Sequence, residues 1–178
     1  MATELAITAV GADRPGVVAG VTGALAALDC NLEDTSMTIL RGRFAMVLIV
    51  RAPSGVDRDA VEAALAAPAA ELGLDVSVRP SAAATADVAG APWNLAVYGA
   101  DRPGSVHRVT AALADVGVNI VDLTTRVIGD PAHPVYAMLL EVVVPDDVAV
   151  DALRDRLGAV AAELGVEWSM HESDADVL

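Results

Sequence analysis

The chain has 178 residues, a length that suits one ordinary domain or two small ones; 54% are apolar but only 3% aromatic, so any core is packed from small and branched aliphatics. Its 11 basic residues are all arginine and the net charge is -14. The missing lysine excludes a P-loop lysine, a Schiff base and pyridoxal-phosphate attachment, and the acidity argues against a nucleic-acid face, which must neutralise phosphates. Cys30, the single cysteine, excludes an intrachain disulfide and a cysteine-rich metal site. No run reaches the ~18 apolar residues of a membrane helix, and the N-terminus lacks the basic segment of a signal peptide. The expectation is a cytoplasmic protein with no membrane partner and no cofactor.

Leu5, Ile7 and Ala9 alternate as a strand does. The turn Asp13-Arg14-Pro15-Gly16 follows, and after it Val17, Val18, Val21, Leu25 and Leu28 recur at helical spacing. Proline suits a helix start, where its missing N–H goes unnoticed. Residues 31–40 and 43–52 predict a hairpin around Arg41-Gly42. A second helix is predicted over 57–72, with Pro68 expected to kink or interrupt it. Val76 and Val78 supply a last strand. Residues 81–91 are Ala-rich, with Ser81, Thr85 and Gly90 as breakers, and predict a linker.

The same order then repeats. Trp93, Leu95 and Val97 mark a strand, and Gly99-Ala100-Asp101-Arg102-Pro103-Gly104 repeats Gly11-Ala12-Asp13-Arg14-Pro15-Gly16 at an offset of 88. Asn119 and Asp122 match Asn31 and Asp34 at that offset, while Tyr136-Ala137-Met138 matches Phe44-Ala45-Met46 at 92. The change of register falls where the second copy carries a longer hairpin loop, Gly129 to Pro134. A helix over 148–164 and a strand at Trp168 and Met170 complete the copy. Each copy is strand-helix-strand-strand-helix-strand, the ferredoxin-like α+β plan with an antiparallel sheet and both helices on one face. The expected division is domain 1 over 1–80, linker 81–91, domain 2 over 92–172 and an acidic tail 173–178. Units this small leave a sheet face and edges that need cover, so pairing within the chain or as a homodimer is expected.

The two glycine turns are the candidate sites. A helix start offers unpaired N–H groups to an anion such as a carboxylate, and Gly16 and Gly104 lack the Cβ that would hold a ligand off. Asn31 and Asn119, each at the start of a second strand, offer donor and acceptor together. Asp13 and Asp101 supply carboxylates for an ammonium. A free amino acid carries both charges, and three or four such bonds less their ordering cost correspond to a dissociation constant of roughly 1 µM to 1 mM. Each residue also has a purely structural reading. The aspartates suit a helix cap, the glycines tight helix–sheet packing, the asparagines a turn at positive φ, and Arg14 and Arg102 a solvated surface. The second copy replaces Val17, Ala19 and Gly20 by Ser105, His107 and Arg108, a more polar helix start. His107, His133 and His171 do not cluster as metal ligands, and no nucleophile stands beside a base.

Asp-Arg-Pro-Gly after a strand, followed by Gly117-Val118-Asn119-Ile120-Val121-Asp122 in the second copy and Cys30-Asn31-Leu32-Glu33-Asp34 in the first, resembles the ACT domain family. The resemblance implies a non-catalytic regulator that binds a free amino acid at interfaces between paired domains and acts through a protein partner. It implies ligand contacts from Asp13, Arg14, Pro15, Gly16 and Asn31 and from Asp101, Arg102, Pro103, Gly104 and Asn119. A ligand-independent interaction module is the alternative, and an enzyme accessory subunit ranks below it.

Overall fold

A computed structural model of the chain describes residues 3–81, 89–130 and 134–173. The chain divides into two compact units, 1–85 and 86–178. Unit 1 runs β1 (Thr3–Ala12), α1 (Val17–Ala26), β2 (Asn31–Leu40), β3 (Arg43–Ala52), α2 (Arg58–Leu72), β4 (Leu74–Pro80). Unit 2 runs β5 (Gly90–Gly99), α3 (Ser105–Ala114), β6 (Asn119–Ile128), β7 (Val135–Pro145), α4 (Val150–Leu164), β8 (Glu167–Glu172). Each unit holds a four-stranded antiparallel sheet, ordered β2-β3-β1-β4 and β6-β7-β5-β8. This is the ferredoxin-like α+β fold, twice.

Strand alternation does what its pattern predicts. Leu5, Ile7 and Ala9 of β1 and Phe44, Met46, Leu48 and Val50 of β3 are buried against Val17, Val21 and Leu25 of α1 and Val61 and Leu65 of α2. In unit 2, Leu95, Val97, Met138, Leu140 and Val142 meet Val109, Leu113, Leu153 and Leu157. Each such aliphatic contributes about 1.5–3 kcal/mol by leaving water. The residues between them face away from the core, and Val47 and Leu139 stay 48% and 42% exposed there. The helices therefore cover only one face of each sheet.

Helix ends follow local chemistry. Asp57 caps α2, its side chain accepting from the Ala60 N–H at 2.9 Å. Gly73 and Gly165 end α2 and α4 in the left-handed conformation. Pro68 departs from expectation: α2 is not interrupted but runs continuously to Leu72. The lost hydrogen bond is compensated by packing, since Val61 and Leu65 before it are buried and Ala69 and Leu72 after it lie against the same core. Pro15 and Pro103 also sit differently from the expected first helical position. Each precedes a glycine cap, and the helices start at Val17 and Ser105. The expected linker is shorter at its end, because β5 begins at Gly90 where Gly90 and Ala91 pair with Pro145 and Val144. Residues 82–88 of that linker, 131–133 of the longer hairpin loop, including His133, and 174–178 of the acidic tail lie outside the described residues. Among the described residues no helix is long and apolar enough to cross a membrane.

Candidate functional site

Gly16 and Gly104 are the helix N-caps of α1 and α3, at φ 94 and 87. That left-handed conformation, not close packing, is why glycine stands there: nothing lies within 4 Å of where a Cβ would be at either position. Close packing falls instead on the first glycine of each motif. A Cβ on Gly11 would sit 2.7 Å from the Gly73 carbonyl oxygen, and one on Gly99 2.5 Å from Val166 Cγ1.

Each turn is a small donor platform. The Gly20 N–H reaches back to the Gly16 carbonyl at 2.8 Å, and the Arg108 N–H to that of Gly104 at 3.0 Å. Among the described residues the N–H groups of Val18 and Ala19, and of Val106 and His107, have no backbone acceptor. Asp13 and Asp101 do not cap the helices, for neither glycine cap is accompanied by a side-chain cap bond. Both carboxylates are exposed, in the turn that leads into each helix start. The Asp13 N–H is itself tied at 2.9 Å to the Gly42 carbonyl in the β2–β3 turn.

Arg14 and Arg102 are not simply solvated. The Arg14 guanidinium donates to the Glu71 carbonyl at the end of α2, and Arg102 Nη1 donates to the Leu164 carbonyl at the end of α4 over 3.0 Å. Each arginine thus satisfies a carbonyl orphaned by a helix end and lies at the negative end of the helix dipole. This ties the turn to the second helix of its own unit. Pro15 and Pro103 are exposed and fix the chain leading into the caps. The polar helix start of unit 2 is partly turned inward: Ser105 is buried and its Oγ donates to the Arg102 carbonyl at 3.0 Å. His107 is exposed, and Arg108 pairs with Glu163.

The asparagines are strand residues, not turn residues. Positive φ falls on Asp29 (φ 55) and Gly117 (φ 77), two residues before each. Their surroundings differ. Asn31 Nδ2 donates to Glu33 Oε1 at 2.6 Å, and Glu33 Oε2 takes Arg51 Nη2 at 2.8 Å. At the matching positions unit 2 has Val121 and Val143, and among the described residues the Asn119 amide is unengaged. Both strands carry a bulge just after the asparagine, at Glu33 and Val121.

The turn and the asparagine do not meet within a unit. Asn31 pairs with Arg51, whose other neighbour is Glu4 near the start of β1, whereas the glycine turn leaves β1 after Ala12. Eight residues of strand separate those rows, about 25 Å at the rise of a β-strand. Sequence order conceals this, since α1 carries the chain back and β2 runs the same way as β1, both being antiparallel to β3. A concavity of about 540 Å³ lies elsewhere, on the uncovered sheet face of unit 2, where it touches Asp122, Arg126, Glu141 and His171. His171, expected near the tail without a cluster, belongs to β8; alternation puts Asp122, Thr124 and Arg126 on one face of β6, but only strand register brings His171 into the row of Asp122.

The fold and the duplicated turn define a class of small tandem α+β domains, and comparison with known proteins agrees. The ACT domain matches residues 3–79 and again residues 93–158. The chain belongs to the ACT-domain family, as a tandem pair. A UPF0237 protein of Methanopyrus kandleri is 42% identical over 78 residues, 43% of this chain and 87% of that protein. The glycine cleavage system transcriptional repressor of Escherichia coli is 26% identical over 169 residues, 94% of this chain and 88% of the repressor. Among solved structures, an unknown protein from Galdieria sulphuraria superposes with a TM-score of 0.85 at 28% identity, covering 98% of this chain and all of that one (100%). ACT domains are regulatory modules, and these relatives include a protein named as a regulator.

Proposed function

We propose that this is a non-catalytic cytoplasmic regulator that binds a free amino acid at its glycine turns and signals through a protein partner. The observation that carries the reading is the open turn itself. Gly16 and Gly104 each stand with nothing within 4 Å of a Cβ position at a helix start that has two N–H groups without a backbone acceptor, and each turn carries an exposed aspartate. A carboxylate suits the N–H pair and the helix dipole, and an ammonium suits Asp13 or Asp101. Pro15 and Pro103 hold the shape, and Arg14 and Arg102 brace it from behind. Asn31 and Asn119 stand too far from the turn of their own unit to touch the same solute. An asparagine contact is therefore expected from a second copy of the chain, which ties binding to assembly as a homodimer. Glycine metabolism enters as a context only through the repressor that this chain resembles.

A panel of the common amino acids in a thermal-shift assay tests the reading. A ligand at 100 times its dissociation constant adds about 2.7 kcal/mol of apparent stability. No shift with any of them defeats the proposal. The ligand-independent interaction module draws support from one observation: in unit 1 the Asn31 amide is already engaged by Glu33. It predicts a partner captured equally with and without amino acids.

A further inference from the structure

The uncovered face of the unit 2 sheet carries a second binding site, independent of the glycine turns; we infer that it takes a basic amino acid in an extended conformation. Strand register builds it. Asp122 pairs with Glu141, Glu141 with Asn94, and Asn94 with His171, so these four residues form one row across β6, β7, β5 and β8. Glu141 lies between Leu140 and Val142, which are buried in the core, so the whole row points away from the helices. Two strand residues further on, Leu139 and Ala96 form an apolar floor, and two beyond that stands Arg126. The concavity of about 540 Å³ spans all three rows.

The charges are arranged against stability and for a ligand. Asp122 and Glu141 are direct cross-strand neighbours, a placement that puts like charges about 5 Å apart at Cβ and destabilises a sheet. Among the described residues neither is ion-paired, nor is Arg126 or His171; Asp122 accepts only the Thr124 hydroxyl, at 3.5 Å. Two carboxylates against one guanidinium leave one negative charge uncompensated. A basic amino acid has the matching inventory: a side-chain cation for the Asp122–Glu141 pair, a carboxylate for Arg126, and a methylene chain to lie across Leu139 and Ala96. Four strand residues separate Asp122 from Arg126, about 13 Å at the rise of a β-strand, so the ligand fits if the Arg126 side chain reaches back toward the acidic row.

Unit 1 provides an internal comparison. Its corresponding row is Asp34, Ile49, Ala6 and Arg79, and Thr38 replaces Arg126. Among the described residues the acidic pair and the opposed guanidinium stand together only in unit 2, so one such site per chain is expected.

Calorimetric titration of the full chain with L-lysine, L-arginine, L-norleucine and glycine tests the inference. L-Lysine or L-arginine should bind at one site per chain, and Glu141→Gln or Asp122→Asn should each weaken it tenfold or more. Gly104→Ala should leave that affinity unchanged, and L-norleucine, which lacks the side-chain cation, should not compete. Asp122 and Glu141 lie outside the core, so a urea midpoint no lower than that of the unaltered chain confirms folding of their variants, and Gly104→Ala is titrated without denaturant, where a cooperative urea transition shows it folded. The inference is overturned if neither basic amino acid binds at about 10 mM, where even an affinity of -2.7 kcal/mol would register. Binding that survives Glu141→Gln and Asp122→Asn but disappears in Gly104→Ala overturns it as well, and assigns the ligand to the turn. Failure of the turn proposal, with no response to any neutral amino acid, leaves this site standing.

Discussion

Gly104→Ala isolates the cost of the left-handed cap. Gly104 sits at φ 87 with nothing within 4 Å of the new methyl group, so no clash contributes. What remains is backbone strain, about 1–2 kcal/mol for an L-residue with a Cβ. The entropy that alanine removes from the unfolded chain does not offset this, because the native conformation is one alanine resists. Asparagine tolerates positive φ better, so Gly104→Asn should cost less than Gly104→Ala. Both tryptophans, Trp93 and Trp168, pack against the core of unit 2, so their fluorescence in urea reports that unit alone. With a slope of about 1 kcal/mol/M for a domain this small, the alanine variant should lower the midpoint by about 1–2 M. Equal losses for alanine and asparagine, or none for alanine, would refute the assignment of the glycine to backbone conformation.

Gly99→Ala should destabilise for the opposite reason, by about 1–3 kcal/mol, since its methyl group meets the stiff Val166 side chain at 2.5 Å; the same fluorescence measurement checks it. Leu95→Ala, at 2% exposed, should cost about 2–5 kcal/mol. Arg102→Ala should lose about 1 kcal/mol by unpairing the Leu164 carbonyl, read as a lower urea midpoint with unchanged slope. Cys30 is buried, and burial, with Asp29 beside it, pushes its thiol above the ordinary range. It should react with a disulfide reagent at pH 8 more slowly than free cysteine and reach the free rate only in urea. Because the folded value is raised, this thiol's contribution to stability is complete below the unfolded pKa and is lost as pH rises through the folded one.

Much of the fold was legible without coordinates, because it rests on local rules. Alternation of Leu5, Ile7 and Ala9 made a strand, Arg41-Gly42 marked a hairpin turn with the observed bounds on either side, and the helix expected over 57–72 runs from Arg58 to Leu72. The duplicated glycine turn was equally visible, since identical spacing demands a common backbone. Pro68 was misjudged because a local breaker is tolerated when both flanks of a helix are held by tertiary packing. Arg14 was misjudged because its partner, the Glu71 carbonyl, lies 57 residues away.

The amino-acid order by itself determined the periodicities, the caps, the two copies and the two glycine turns, all set by neighbours a few residues apart. Tertiary structure alone decided which of these features share a place. β1 and β2 are both antiparallel to β3 and so run the same way, which puts Asn31, at the start of β2, at the far end of the sheet from Gly16, beyond the end of β1. Antiparallel register brought Asp122, Glu141, Asn94 and His171, scattered over the second half of the chain, into a single row. Hydrogen-bonded strands fix such rows by pairing backbones rather than side chains, so no pattern of residue types along the chain announces them.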